Sequence, residues 1–239
     1  KADYDLVYVN NLFATHWGVW PLLLHKFGWI KGKPMLVAPR NQFSSGALGI
    51  KRLKKRSFCR LAQWAGLWRK VGWHATSSDE MEDIREQVGL EASVWIAPIF
   101  PNGNLVIAQN NSAIPSNTAL RLILLARISP MKNLEGALEV VQQLTFPINF
   151  DIAGPVDDAE YWDRIKRIIV QLPEHIKVTH IGSVEPENVR ALLGCYHAML
   201  LPTRGENFGH VILEALAAGC PPIISDRTPW SDLPDHGCG

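Results

Sequence analysis

The stretch "PTRGENFGHVILEALAAG", Pro202 to Gly219, decides how the chain is read. Glu206 and Glu214 stand on either side of seven residues, the first in a glycine-flanked loop and the second inside an apolar helical pattern. Gly205 and Gly209 permit close approach of the backbone to a ligand. The amides of Phe208 and Gly209 fall at the helix start, where the first N–H groups have no intrahelical acceptor. Each glutamate also has a plain structural reading: Glu206 as an acid favoured near a helix amino end, Glu214 as a surface residue of the helix. For Glu214 that reading is poor. "VILEALAAG" is apolar on nearly every side of it, and a carboxylate in such surroundings is costly unless paired or hydrogen-bonded.

Outward from this stretch, short β-rich apolar runs alternate with helical patterns over the whole length. Strands are expected in "YDLVYVN", "KPMLVAPR", "WHATSS" and "ASVWIAP", then in "RLILLAR", "NFDIAGP", "KVTHIGS", "HAMLLPT" and "PPIISDR". "HWGVWPLLLHKFG" reads as a short helix and the basic run from about Ala47 to Val71 as a long one. "DEMEDIREQVG" reads as a helix with Ser and Asp caps that closes on Gly89. Later helices begin near Asn133, Asp158, Glu187 and Phe208. Strands alternating with helices imply right-handed crossovers and parallel sheets. "IFPNGNLVIAQNNSAIPSNTAL", rich in Asn, Pro and Ser, splits the series. Two doubly wound α/β units are therefore expected: 1–104, a linker at 105–118, and 119–239.

Composition sets outer bounds. Hydrophobic residues make up 47% and charged residues 20%, as in ordinary globular chains. A net charge of +1 gives no general attraction to nucleic acid. Cys59, Cys195, Cys220 and Cys238 form no C-x-x-C pair, which argues against a zinc or dithiol centre and suits a reducing compartment. No apolar run reaches the roughly 18 residues of a membrane span. Lys1 is not an initiator methionine and "SDLPDHGCG" stops in a turn-like stretch, so the chain reads as a piece of a longer one.

Ligands of parallel α/β units collect outside the carboxyl ends of the strands. After "RLILLA" come Arg127 and, just before a helix, Lys132. Two cations at a helix amino end suit a diphosphate, since exposed amides and the helix dipole add to their charge; solvated loop charges are the plainer alternative. Gly154 in "AGPVDD" and Gly182 in "IGSVEPENV" permit backbone approach, although a simple turn explains Gly154 equally well. No G-x-G-x-x-G follows any expected strand, which argues against a dinucleotide enzyme.

Taken together, "ARISPMKNLEGALE", "DIAGP", "HIGSV" and "LPTRGENFGHVILEALAAGCPPIISDRTPW" resemble the donor domain of retaining glycosyltransferases of the GT-B fold. More narrowly they resemble the group marked by an E-x7-E motif, written E-x-F-G-x-x-x-x-E-A. The resemblance covers most of 119–239. "VAPRNQFSSGALGIKRLKKRSF" and "WHATSSDEMEDIRE" are more loosely similar to the second half of the acceptor domain, in members that build bacterial surface polysaccharides. The resemblance implies a GT-B fold of two Rossmann-like domains, both incomplete here. It implies sugar transfer from a nucleotide-sugar donor to a glycan or lipid-linked acceptor with retention of configuration. By that resemblance Arg127 and Lys132 hold the diphosphate, Glu206 meets the donor sugar near the reacting carbon, and Glu214 bonds the ribose. Asn207, Phe208 and Gly209, beside Gly205, present amides to sugar or phosphate oxygens, while Gly182, Ser183 and Val184 lie by the base. No metal or resident cofactor is expected, phosphate serving as the base.

The chain departs from the family's pattern in several places. Pro39-Arg40-Asn41 stands where many members carry a histidine against the donor sugar. The family's amino-terminal glycine-rich loop and closing terminal helix are absent, so weak donor binding and poor turnover are expected of the piece. His74 reads as a packed strand histidine more readily than an active one, and His210 as a ligand contact or a surface residue. The segment 51–73 interleaves Lys51, Arg52, Lys54, Lys55, Arg56, Arg60, Arg69 and Lys70 with Leu53, Phe58, Leu61, Trp64, Leu67 and Trp68. A core helix with a solvated basic face is one reading, and peripheral contact with an anionic membrane from the cytoplasmic side is the other. No nucleic-acid motif accompanies the charge. An epimerase of GT-B architecture and a non-catalytic nucleotide-sugar-binding module remain the alternatives to a transferase.

Overall fold

The computed structural model describes residues 4–30, 32–49, 52–99 and 119–237. The chain divides into two compact units, Lys1–Phe100 and Pro101–Gly239. The linker expected at 105–118 lies outside the described residues, as do Lys51 and Cys238.

The first unit holds strands β1 (Val7–Val9), β2 (Met35–Val37), β3 (Val71–Ala75) and β4 (Val94–Ile96), all parallel in consecutive order. A π-helical turn at Thr15–Val19 and helix α1 (Trp20–Lys26) connect β1 to β2. Helices α2 (Ser45–Gly49) and α3 (Arg52–Trp64) precede β3, and α4 (Ser78–Val88) precedes β4. Ser77 caps α4 by accepting from the Glu80 amide, and Gly89 closes it at φ 112°, as the sequence predicts. The core gathers Leu12, Leu22, Phe43, Trp68, Trp73 and Ile84, with the Trp68 and Trp73 rings 5.4 Å apart.

The basic helix is shorter than expected. It ends at Trp64 rather than Val71, because Gly66 takes φ 64° and two capping bonds close the last turn: Leu67 N to Ala62 O and Gly66 N to Gln63 O. This is a Schellman ending. It turns Leu67 and Trp68 inward, so both belong to the core.

The second unit holds β5 (Leu120–Leu125), β6 (Ile148–Ala153), β7 (Ile176–Gly182), β8 (Ala198–Leu201) and β9 (Pro222–Ile224), all parallel in the order β7-β6-β5-β8-β9. Helices α5 (Leu134–Gln142), α6 (Ala159–Val170), α7 (Pro186–Leu193) and α8 (His210–Ala217) occupy the crossovers. Asp158 caps α6 by accepting from the Tyr161 amide. All of β8 and the last four residues of β5 are buried, the mark of central strands covered on both faces. Edge strand β7 is mostly open from Lys177 to Ile181. Strand order reverses between β5 and β8, the position at which parallel α/β sheets bind their ligands. Among the described residues no helix is long and apolar enough to cross a membrane.

Candidate functional site

The two loops that open at the reversal are stitched together. After β5, the chain makes a short 3-10 turn at Pro130–Lys132, and Asn133 then takes the left-handed conformation (φ 53°, ψ 47°) at the amino end of α5. The Asn133 side-chain Nδ2 donates to Pro202 O (3.0 Å), and the Arg204 backbone N–H donates to Met131 O (2.8 Å). The Thr203 hydroxyl lies 3.1 Å from Met131 O, and the Arg204 guanidinium donates to Asn133 Oδ1. These bonds fix the β5–α5 loop against the β8–α8 loop.

Across that seam Lys132 Nζ meets Glu206 Oε2 at 2.5 Å, with side chains 17% and 16% exposed. A largely covered ion pair of this kind is far less screened than a surface one. Glu206 is positioned by its own amide, which donates to Arg227 O (3.0 Å). Next to it, Phe208 O accepts from the Trp230 indole (2.5 Å), and Gly209 caps α8 at φ 77°. A Cβ on Gly209 would stand 3.0 Å from Glu206 Cγ, so glycine lets the glutamate pack against the helix mouth. Among the described residues the amides of Phe208 and Gly209 have no hydrogen-bond partner. The site thus presents a cation, a carboxylate and two unpaired N–H donors around one helix end.

Glu214 lies one turn into α8, half-buried and accepting no hydrogen bond among the described residues. Burial pushes its carboxyl above the ordinary carboxylate range, and the nearby His210 partly pulls it back. His210 is exposed, its ring 4.7 Å from that of Phe208. Asn207 and Gly205 are half-buried in the loop. Arg127 is 70% exposed and only loosely paired with Asp157 (3.4 Å), an interaction worth little.

Gly182 ends edge strand β7, and Ser183 and Val184 follow it, two strands from β5 and so roughly 10 Å to the side. Gly182 O accepts from the Gly154 amide (2.7 Å), Ser183 is exposed and Val184 packs on the core. Among the described residues no hydrogen bond or ion pair joins these three to Lys132 or Glu206. Gly154 is required by geometry: at φ 135° its Cβ would lie 2.0 Å from Ala126 O. His74 is a structural histidine, bonded to the Tyr8 hydroxyl (2.6 Å) and to Ala97 O (2.8 Å). Among the described residues no three His, Cys, Asp or Glu side chains gather as a metal-binding group.

Sequence reasoning did not find Asn133, Arg204, Ser225, Arg227 or Trp230. Ser225 donates to Thr203 O (2.5 Å), and together with Arg227 and Trp230 it braces the Glu206 loop from the chain after β9. The available signal was position alone: Asn133 follows β5 and Ser225, Arg227 and Trp230 follow β9, the two neighbours of β8, while Arg204 follows β8 itself.

Residues 108–237 match the family described as Glycosyl transferases group 1. No curated protein matches by sequence. Among solved structures, HepE from Anabaena in complex with UDP and glucose superposes with a TM-score of 0.72 at 16% identity, over 96% of this chain and 61% of that one. Sucrose-phosphate synthase from Thermosynechococcus elongatus gives 0.71 at 17% identity, over 95% and 57%. WaaG, a glycosyltransferase involved in lipopolysaccharide biosynthesis, gives 0.63 at 12%, over 95% and 70%. The chain therefore spans about three-fifths of the first two neighbours. Likeness at such identity fixes the fold alone, and the fold is the α/β GT-B type that the sequence predicts.

Proposed function

The chain belongs to the Glycosyl transferases group 1 family, and on that premise we propose that it transfers a sugar from a nucleotide donor to a glycan or lipid-linked acceptor with retention of configuration. The observation that carries the reading is the Lys132–Glu206 pair beside the unpaired amides of Phe208 and Gly209, at the reversal of strand order. A diphosphate needs cations and N–H donors, and a sugar ring needs acceptors for its hydroxyls. This helix mouth offers both within one loop.

Departure of a nucleoside diphosphate leaves negative charge on phosphate and positive charge on the sugar ring. Lys132, the exposed Arg127 and the α8 amides stabilise the first, an electrostatic contribution that fixed donors supply without reorganising. Glu206 faces the second and binds sugar hydroxyls. In this reading it is not a covalent nucleophile. The acceptor hydroxyl attacks from the side the phosphate leaves, and a phosphate oxygen takes its proton. Glu214 bonds the ribose hydroxyls, which replace the water its half-buried carboxylate loses. The Gly182–Val184 loop, roughly 10 Å along the sheet edge, lies where the base of such a donor would reach. The reading calls for no metal. UDP sugars are the first donors to test, because HepE is seen with UDP-glucose as well as with UDP.

A surface-polysaccharide role and cytoplasmic placement at a membrane complete the proposal. One observation supports the membrane part. Helix α3 buries Cys59 and Ala62 in the core, yet Leu53, Leu61 and Trp64 share an outer face at 85%, 63% and 88% exposure. Lys54, Arg56 and Arg60 are exposed beside them. Apolar groups among cations suit an anionic bilayer surface.

The test is transfer of isotope-labelled sugar from UDP-, GDP- and ADP-linked donors, after a thermal-shift screen has chosen the nucleotide. Labelled product that disappears in Lys132→Ala and Glu214→Ala supports the reading. Release of an epimerised free sugar favours the epimerase, and binding without turnover favours the module. A chain that binds no nucleotide contradicts all three.

A further inference from the structure

The carboxyl end of the first sheet carries a second constellation, built around a turn. β2 ends at Val37, and the chain reverses through Pro39, Arg40, Asn41 and Gln42, with Gln42 N donating to Pro39 O at 3.3 Å. Arg40 and Asn41 both occupy the left-handed region, at φ 54° and 61°. Few residues other than glycine adopt that conformation, and consecutive cases need something to hold them. Glu80, only 2% exposed, holds this one. Its Oε1 accepts from the Asn41 amide (2.5 Å), while Oε2 accepts from the Thr76 amide (2.8 Å) and hydroxyl (2.6 Å).

The strained turn aims one guanidinium. Arg40 Nε donates to Asn10 Oδ1 (2.6 Å) and Nη2 donates to the Tyr8 oxygen (3.1 Å). The Tyr8 hydroxyl lies 2.6 Å from His74 Nδ1, and His74 Nε2 lies 2.8 Å from Ala97 O. Ala97 O can only accept, so Nε2 carries the proton; a neutral imidazole then leaves Nδ1 to accept from Tyr8. One chain of bonds therefore ties together the exits of β1, β2, β3 and β4.

Among the described residues every partner of Arg40 is neutral, and Glu80 is already engaged by Asn41 and Thr76. Among the described residues no carboxylate pairs with Arg40. Its Nη1 is out of contact with solvent and has no hydrogen-bond partner. A guanidinium charge that no carboxylate balances is costly in a folded protein, and an oxyanion that reaches the half-buried Arg40 side chain from solvent relieves it. Parallel α/β units bind their ligands at this end of the sheet.

We propose that the Arg40 turn is an oxyanion-binding site of the first unit, taking a phosphate or carboxylate carried by the molecule that receives the sugar. Assignment of that group to the acceptor rests on the transferase reading; binding of the oxyanion does not. Arg40 is the contact residue, while Tyr8, Asn10 and Glu80 position it.

The test is a titration of the full chain, labelled with nitrogen-15, with inorganic phosphate and separately with acetate. The Arg40 side-chain resonances are assigned by their loss in Arg40→Lys. A saturable shift of those resonances, retained in Lys132→Ala and weakened at least about tenfold at the Asn41 amide in Arg40→Lys, supports the site. Response to phosphate alone marks a phosphorylated acceptor, and response to acetate alone marks a carboxylated one. No response to either probe, or an Asn41 response that persists unchanged in Arg40→Lys, overturns the proposal. Tyr8→Phe, which keeps the Arg40 fork but frees it from the chain, is expected to weaken binding less. UDP added to the same samples reports on Phe208 and Gly209, so failure of the donor reading is seen separately.

Discussion

Replacing Glu206 by glutamine separates two roles that the Lys132–Glu206 pair combines. In this structure the carboxylate neutralises the largely covered Lys132 ammonium at the α8 mouth, at 2.5 Å. Exposed pairs are worth about 0–1 kcal/mol, and breaking fully buried ones costs about 3–5 kcal/mol. With side chains 17% and 16% exposed, this pair lies between those limits, and Glu206→Gln is expected to lower stability by about 1–3 kcal/mol. The effect on nucleotide has the opposite sign. A diphosphate approaching Lys132 is repelled by the carboxylate, and removing one charge at about 6 Å in an effective dielectric of about 40 is worth ~1.4 kcal/mol. UDP without sugar should therefore bind about tenfold tighter to the variant. Sugar transfer should fall about 100-fold or more, since the group facing the ring is gone. Calorimetric titration with UDP, alongside denaturant unfolding, reads both numbers. If Glu206→Gln weakens UDP binding as much as Lys132→Ala does, the two residues are one structural unit and the division of roles is refuted.

Other consequences are as direct. Gly154→Ala places a Cβ 2.0 Å from Ala126 O at φ 135°, and should cost the second unit about 3–5 kcal/mol in denaturant unfolding; a loss below about 1 kcal/mol would show that the two loops are not tightly apposed. Asp83 has its carboxyl raised to about 6, by burial first and then by Glu86, Glu80, Asp79 and Glu82. The folded state therefore holds this proton to higher pH than the unfolded chain, and stability falls as pH climbs from 3.8 to about 6. Asp83→Asn should melt higher than the parent above that window and equal it below, and an equal gain at all pH values would refute the cause. Changing Leu53, Leu61 and Trp64 together to serine should abolish sedimentation with anionic vesicles while leaving the melting temperature nearly unchanged, because all three are exposed.

How much of this was legible in the sequence depends on the range of the interactions involved. The strands of the second unit were readable because central parallel strands are continuous apolar runs, as in "AMLL" of β8. The start of α8 was readable from Gly209 and the apolar run after it. Gly66 could have marked the end of α3, but the basic run on both sides masked the short-range signal, and only the capping bonds reveal it. Lys132 and Glu206 were each singled out from their own loops. That they touch could not be read, since they are 74 residues apart and meet only because strand order reverses between β5 and β8. Arg40 was noticed as an oddity of type, whereas its strained turn and the Glu80 clamp arise from contacts 39 residues apart. Asn133 looked like an ordinary polar residue before a helix, and its left-handed backbone follows from bonds to Pro202 and Arg204.

Amide mapping of the nitrogen-15-labelled chain during addition of UDP tests the donor site most directly. The account predicts that the largest saturable shifts fall on the amides of Lys132, Phe208, Gly209 and Glu214, and that Lys132→Ala removes them. Shifts confined to the first unit, or a UDP response that survives Lys132→Ala undiminished, would contradict it.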